Sequence, residues 1–143
     1  MIEFTLTRTS TAPIETVFDA ITDHRRFANY VWAIRRSTLD REGTPAPNGA
    51  GAVRRLVVGP ALVEEIIDYQ RPNRYAYKLV SGAPVRDHVG TIELRETGSG
   101  TEVSWHLRST PKIPGLGVLL SPVLKKALDE LLKGGIKAAE RGA

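Results

Sequence analysis

The apolar residues of the C-terminal segment recur with the period of an α-helix. Between positions 116 and 139 they return at steps of three and four and form one stripe, while lysines and acidic residues lie opposite. Ser121 before Pro122 is typical of an N-cap and a first helical position, which predicts a helix over residues 122–139. An earlier start near Leu116 would place Pro122 inside the helix and kink it.

This predicted helix requires a packing partner. Gly134 and Gly135 weaken its last turns by about 1 kcal/mol each relative to alanine. A helix with such residues is stable only when its apolar stripe is buried against other elements.

The rest of the chain has mostly the period-two pattern of strands. Ile2, Phe4 and Leu6 alternate with polar residues and predict the first strand. A short amphipathic helix follows over residues 14–22, and Asp23 is a suitable N-cap for a second one that reaches Ala28. Six further strands are predicted at residues 31–40, 52–58, 62–69, 75–80, 85–96 and 101–109.

These elements predict an α+β fold. Short turns join consecutive strands, so the seven strands are expected to form one antiparallel sheet that twists and curves. A single long helix on that sheet is too narrow to fill its concave face, and the two short helices after the first strand close only one end. We therefore expect a gap between sheet and helix, the kind of space in which small molecules bind. Residues 1–143 are expected to form one domain.

Composition narrows the classes of function. The chain has 20 basic and 16 acidic residues, a net charge of +4, and no cysteine. The charges are interleaved, which argues against a nucleic-acid interface. No apolar run is long enough for a membrane span and the N-terminus does not look like a signal peptide, so we expect a cytoplasmic protein without stable membrane insertion. Clustered metal ligands, phosphate loops and nucleophile elbows are missing, so we expect no metal and no cofactor.

Several segments carry recognisable motifs: residues 12–23 with Trp32 soon after, residues 63–65 and 69–77, residues 87–94, and residues 100–105. Together they resemble the START-like superfamily, also called SRPBCC, whose plant pollen allergens give the type shape. Within the superfamily the chain is most similar to the polyketide cyclase/dehydrase and lipid-transport group. The resemblance implies the helix-grip fold, in which a curved sheet surrounds the long C-terminal helix. The superfamily includes lipid carriers, hormone receptors, ring-forming polyketide enzymes and interaction proteins, and the fold alone does not choose among these functions.

The candidate site residues come from the inward faces of the predicted elements. His88 is the best candidate for an acid or base, although a structural histidine is the commoner case. Inward arginines could hold an anionic head group, but alternation does not decide between Arg54 and Arg55 or between Glu64 and Glu65. The full set of expected ligand-binding residues is Tyr30, Trp32, Tyr75, Tyr77, Arg86, His88, Trp105, Leu124 and Leu128.

Three functions are consistent with this pattern. The first is binding or transport of a hydrophobic or amphipathic small molecule, such as a lipid or polyketide-like compound. The second is an enzyme of the cyclase/dehydrase kind, with His88, Tyr75, Tyr77 or Arg86 as acid, base or anchor. The third is a protein-interaction module whose core is filled. The sequence is compatible with a monomer or a homodimer and does not identify the ligand.

Overall fold

The computed structural model describes residues 1–142 and contains seven strands and three α-helices. The strands are β1 (Ile2–Ser10), β2 (Arg36–Arg41), β3 (Val53–Val57), β4 (Ala61–Gln70), β5 (Arg74–Ser81), β6 (Val85–Thr97) and β7 (Gly100–Pro111). The helices are α1 (Ile14–Thr22), α2 (Phe27–Tyr30) and α3 (Leu116–Glu140), and a 3₁₀ turn over His24–Arg26 precedes α2.

All seven strands form one antiparallel sheet in the order β1-β7-β6-β5-β4-β3-β2. The chain leaves β1 at one edge, crosses through the short helices to β2 at the other edge, and returns strand by strand. The curved sheet, the long C-terminal helix and the two short helices confirm the α+β helix-grip fold.

The region after the first strand differs from the prediction in one respect. The Asp23 side chain accepts a hydrogen bond from the Arg25 N–H at 3.1 Å, as expected of an N-cap. The strand predicted at residues 31–40, however, begins only at Arg36. Residues 31–34 form a turn that buries Val31 and Ile34 and leaves Trp32 exposed by 89%. A burial spacing of three residues is incompatible with a strand, in which side chains alternate.

The prediction that the long helix begins at Pro122 was wrong, because α3 begins at Leu116 and contains Pro122. Gly115 precedes the helix with a left-handed φ of 82°, so the chain turns into α3 without a side-chain cap. Proline in the second turn cannot donate to the carbonyl four residues earlier. The helix tolerates this loss near its start, where the amides of the first turn also lack helical partners.

The C-terminal half of α3 holds the helix to the rest of the molecule. Leu128, Leu132, Ile136 and Ala139 are buried and belong to the main core with α1 and the inner face of the sheet. The N-terminal half carries apolar residues that remain exposed, among them Val118 and Leu119. No helix within residues 1–142 is both long enough and apolar enough to span a membrane.

Candidate functional site

A hollow of about 390 Å³ lies between the concave face of the sheet and the N-terminal half of α3. Its wall is mostly aliphatic and aromatic, with a few polar groups from strands β3 to β7. From α3 it includes Leu120, Val123, Leu124, Ala127, Leu128 and Leu131; from the region of α2 it includes Phe27, Val31, Ala33 and Ile34. From the sheet and its loops it includes Arg54, Leu56, Val58, Leu62, Glu64, Tyr77, Leu79, Ala83, Val85, His88 and Trp105.

A buried ion pair forms part of this wall. Arg54 on β3 lies directly opposite Glu64 on β4, and its Nε and Nη2 atoms both lie 2.8 Å from Glu64 Oε1. The third nitrogen, Nη1, donates to the Tyr75 hydroxyl at 2.8 Å. The structure thus selects Arg54 and Glu64 as the inward members of their pairs, while Arg55 and Glu65 lie on the other face. Because Glu64 already neutralises Arg54, this arginine is not a free anchor for an anionic head group.

Aromatic rings surround the Arg54 guanidinium. Its central carbon lies 4.7 Å from the ring centre of Phe27 and 5.0 Å from that of Tyr77, a distance at which cation–π attraction applies. Burial raises the pKa of Tyr75 to about 12 and raises that of Tyr77 further. Both phenols therefore stay protonated at neutral pH and act as neutral hydrogen-bonding groups.

Tyr77 and Trp105 form the aromatic corner of the hollow. Their rings meet edge to face with centres 6.2 Å apart. Gly90 on β6 makes the corner possible, because a Cβ there would lie 2.3 Å from the Tyr77 ring. The Trp105 indole N–H moderates the rise in the Tyr77 pKa, and its Nε1 atom is itself buried.

A β-bulge directs His88 into the hollow. Arg86 pairs with Thr110 and Val89 with Arg108, so Asp87 and His88 together face the single residue Ser109. The His88 Nδ1 lies 2.9 Å from the buried Ser109 hydroxyl oxygen. Burial lowers the pKa of His88, because the apolar wall disfavours the charged imidazolium.

The same bulge turns Arg86 away from the hollow. Regular alternation along β6 would place Arg86 and His88 on the same face of the sheet. The extra residue, Asp87, adopts a left-handed φ of 51° and shifts the alternation, so that Val85 is buried and Arg86 is exposed.

Three other candidates also lie outside the wall of the hollow. Tyr75 is buried behind Arg54 and is in edge-to-face contact with Phe18. The Tyr30 hydroxyl donates to the Ala20 carbonyl oxygen at 3.0 Å, so this residue fastens α2 to α1. Tyr30 and the exposed Trp32 border a separate surface depression beside the C-terminal half of α3.

Five of the nine candidates line the hollow. The five are Tyr77, His88, Trp105, Leu124 and Leu128. The wall also contains two features that the sequence analysis did not assign to it: the Arg54–Glu64 pair and the turn at residues 31–34. Arg54 and Glu64 were weighed only as a question of strand parity. The sequence feature that could have revealed them is a pair of adjacent arginines on one predicted strand and a pair of adjacent glutamates on the next. One member of each pair must face inward, where an ion pair can form. Nothing in the sequence indicated that residues 31–34 contribute to the wall of the hollow, because their residue types predict a strand.

The arrangement suits binding of an organic molecule better than binding of a metal ion. Across residues 1–142, no three His, Cys, Asp or Glu side chains come together as a metal site would require. The polar side chains of the wall are a neutralised ion pair, a phenol and an imidazole. Such a set can form hydrogen bonds within an otherwise apolar wall.

Comparison with protein families identifies the class of this protein. The family described as "Polyketide cyclase / dehydrase and lipid transport" matches residues 1–141. The chain therefore belongs to this family, and the resemblance seen in the sequence is confirmed. Among curated proteins, no sequence matches that of this chain.

Solved structures of similar fold extend the comparison. The crystal structure of Ara h 8.0201 is similar to this chain with TM-score 0.79 and 15% identity, covering 96% of both chains. A Thermus thermophilus protein has TM-score 0.76 and 22% identity over 99% of both chains. A START superfamily protein from Mycobacterium smegmatis has TM-score 0.75 and 14% identity over 99% of both chains. At these identities the likeness concerns the fold.

Proposed function

We propose that this protein binds an apolar or amphipathic small molecule, of lipid or polyketide-like chemistry, in the hollow beneath α3. The observation that carries the proposal is an apolar wall with a few polar side chains grouped around Tyr77. Its volume of about 390 Å³ falls near the lower end of the range of about 300–1,000 Å³ usual for small-molecule sites. Membership of the family supports the same reading.

The hollow distinguishes this proposal from an interaction module with a filled core. Tyr77, Trp105 and Leu128 belong to the main core, and Leu124 packs against it. All four residues nevertheless also border the same space. Close packing is the norm in protein interiors, so a space of this size between two apolar layers favours a ligand.

Binding of a neutral fluorescent probe tests the proposal. We expect N-phenyl-1-naphthylamine to bind at one saturable site with enhanced emission, and native mass spectrometry of the freshly purified protein to retain a small-molecule mass. Ala127→Phe adds a ring to the wall of the hollow and should abolish probe binding. Lys126→Phe adds the same ring to the exposed side of the helix and should leave it unchanged. Undiminished binding by Ala127→Phe in a folded protein would contradict the proposal.

A second candidate function is catalysis of the cyclase/dehydrase kind. The specific observation is His88, a half-buried imidazole on the wall of the hollow. When Nδ1–H donates to Ser109, Nε2 is left as a base that could remove a proton next to a ligand carbonyl. The test is hydrogen–deuterium exchange at the α-carbon of a bound ketone, followed by NMR. His88→Ala should abolish the exchange and Arg86→Ala should preserve it, while retained exchange in a folded His88→Ala variant would exclude this role.

A further inference from the structure

Exposed apolar side chains collect at the end of the molecule where α3 begins. There α3 lies beside the start of β1 and the end of β7, since a Cβ on Gly117 would lie 3.7 Å from Ile2 and 3.4 Å from Pro111. Val123 is 61% exposed and also lines the hollow, so the hollow reaches the surface in this region. We call the region the mouth end. Its exposed apolar side chains are Met1, Ile113, Val118, Leu119 and Val123. Contiguous apolar surface of this kind typically marks an interaction site.

The mouth end is also basic. Residues 103–128 contain no aspartate or glutamate. The exposed cations are Arg108, Lys112, Lys125 and Lys126, together with Arg86 from the start of β6, which pairs with the end of β7. Within residues 1–142 none of these five forms an ion pair, whereas Arg8, Arg55 and Arg74 elsewhere each bind a carboxylate. The nearby Glu3, opposite Arg108, binds His106 at 3.0 Å, and Asp87 follows Arg86, so positive charge is in excess.

These two features together suit the surface of an anionic bilayer. Peripheral segments bury apolar side chains at the boundary of the acyl chains, while lysines and arginines remain among the anionic head groups. Val118 and Leu119 are 80% and 69% exposed, so they project from the surface rather than line a groove that a peptide would fill. A second copy of the chain is a poor partner, because two mouth ends carry the same excess of positive charge and repel each other.

We propose that the mouth end docks on the surface of an anionic lipid bilayer. In this arrangement Val118 and Leu119 lie among the acyl chains, Lys112 and Lys126 lie at the head groups, and the hollow opens toward the bilayer. The inference goes beyond the proposed binding function, and docking requires no ligand in the hollow.

Co-sedimentation with extruded vesicles tests the proposal. The vesicles consist either of phosphatidylcholine alone or of equal parts of phosphatidylcholine and phosphatidylglycerol. We expect the protein to bind the mixed vesicles at least about tenfold more tightly than the neutral ones, because anionic lipids attract its cations. Added salt should weaken this binding by screening. No binding to the mixed vesicles, or equal binding to both kinds, would overturn the proposal.

Two pairs of substitutions at exposed positions locate the docking surface. Lys112→Gln with Lys126→Gln should lower the partition coefficient on mixed vesicles about thirtyfold, since each cation near an anionic surface is worth about fivefold. The matched control is Lys133→Gln with Lys137→Gln, which removes the same net charge from the C-terminal half of α3 and should change binding little. Equal losses in the two double variants would overturn the proposal, because net charge alone would then drive binding.

The apolar contribution has its own variant and control. Val118→Ser with Leu119→Ser should weaken binding to the mixed vesicles at least about tenfold, because two projecting side chains no longer enter the acyl boundary. Ile67→Ser, at an apolar position of β4 that is 45% exposed, should bind as the wild type does. Undiminished binding by Val118→Ser with Leu119→Ser would overturn the proposal.

Sedimentation velocity and one further variant separate docking from the alternatives. A wild-type dimer that Val118→Ser with Leu119→Ser dissociates, without vesicle binding, would assign the mouth end to a second copy and overturn the proposal. Ala127→Phe, which fills the hollow, should bind mixed vesicles as the wild type does. Failure of N-phenyl-1-naphthylamine to bind would therefore overturn the proposed function and leave docking standing, whereas failure to bind vesicles would overturn docking alone.

Discussion

The ion pair of Arg54 and Glu64 couples the stability of the protein to the polarity of the hollow. Both side chains are less than 10% exposed, and Tyr75 satisfies a further guanidinium N–H. The attraction within such a pair offsets the desolvation of its members only while both are present. The pair is therefore a poor candidate for a switch, but it fixes β3 against β4 and places a neutral polar group at the wall of the hollow.

Removal of one member of the ion pair should destabilise the protein, because the other member is then buried without a partner. Glu64→Ala leaves a buried, unpaired guanidinium, and we expect the free energy of unfolding to fall by about 3–5 kcal/mol. Urea denaturation measures the change. The matched control is Glu65→Ala, which removes the neighbouring carboxylate. Glu65 is 31% exposed and its partners lie at 3.6 and 3.7 Å, so the expected loss is below about 1 kcal/mol. Equal losses in the two variants would refute this account of the pair.

The half-buried imidazole of His88 should make stability depend on pH. Burial lowers its pKa below the ordinary 6.5 in the folded state, so the unfolded chain binds more protons there. Stability is then complete above about pH 6.5 and declines as pH falls toward the folded-state pKa. We expect His88→Gln to flatten this part of the curve in urea denaturations between pH 8 and 5. If the difference in unfolding free energy between the wild type and His88→Gln stays constant from pH 8 to 5, the pKa of His88 is not lowered in the folded protein.

Residue orientations were predictable where the strands are regular and not where they bulge. Tyr77 and Trp105 lie on continuous alternating stretches, and both face inward as alternation requires. Arg86 lies beside a bulge that the sequence does not indicate. Asp87 adopts the left-handed conformation there, but no glycine or proline next to it marks a break in the strand. Partner choice was equally hidden, since the inward orientation of Arg54 and Glu64 became visible only through the pairing of β3 with β4.

At the level of the elements, α3 is a helix of two unlike halves. Its C-terminal half packs through small residues: Gly134 lies against Tyr30, and Gly135 lies against Ile21. The glycines that weaken the helix in isolation therefore allow α1 and α2 to approach it closely. The N-terminal half crosses the hollow and has less to pack against.

Gly134→Ala tests the close approach of α2. Helix propensity alone favours alanine by about 1 kcal/mol, but its Cβ would lie 2.6 Å from the Tyr30 Cβ and 3.0 Å from its Cα. Overpacking of this kind typically costs about 1–3 kcal/mol, so we expect a net loss of stability in thermal and urea denaturation. Gly98→Ala, at a site with no atom within 4 Å, should be neutral or slightly stabilising. A stabilised Gly134→Ala variant would show that α2 moves away freely.

Pro122→Ala tests the irregular half of the helix. Alanine restores an N–H that can bond to the carbonyl of Val118, and an interior proline is about 3 kcal/mol less favourable than alanine. We expect the variant to be more stable by about 1–3 kcal/mol in urea denaturation. Pro114→Ala, which lies before the helix, is the control and should change stability little. A loss of stability in Pro122→Ala would mean that the proline shapes the helix to fit its neighbours.

The elements themselves were largely predictable, apart from two boundaries. Strands β4 to β7 were found within a few residues because each has an alternating or β-branched stretch between turn residues. The start of α3 was misplaced because Ser121-Pro122 is a good local start signal, and the apolar residues before it continue the same period. The late start of β2 was missed because Val31 and Trp32 favour strands by residue type, whereas tertiary packing turned them into a corner.

At the scale of the whole molecule, the hollow exists because the sheet is wider than helix α3. Seven strands make a sheet wider than one helix can cover, and the short helices close only the end where the C-terminal half of α3 is packed. The two ends of the molecule are thus unlike, with a filled core at one and a hollow under an exposed half-helix at the other. Opening of the N-terminal half would admit a ligand without disturbing the main core.

Hydrogen exchange along α3 tests this asymmetry. Without ligand, we expect the amides of residues 119–126 to exchange roughly tenfold or more faster than those of residues 130–138, because fewer buried contacts oppose local opening. At one hundred times its Kd, N-phenyl-1-naphthylamine should slow the first group by up to about a hundredfold, since opening is then linked to release of the probe. In Ala127→Phe the probe should have no such effect. Uniform exchange along α3 would show one cooperative unit, and protection confined to residues 130–138 would place the binding site at the other end of the helix.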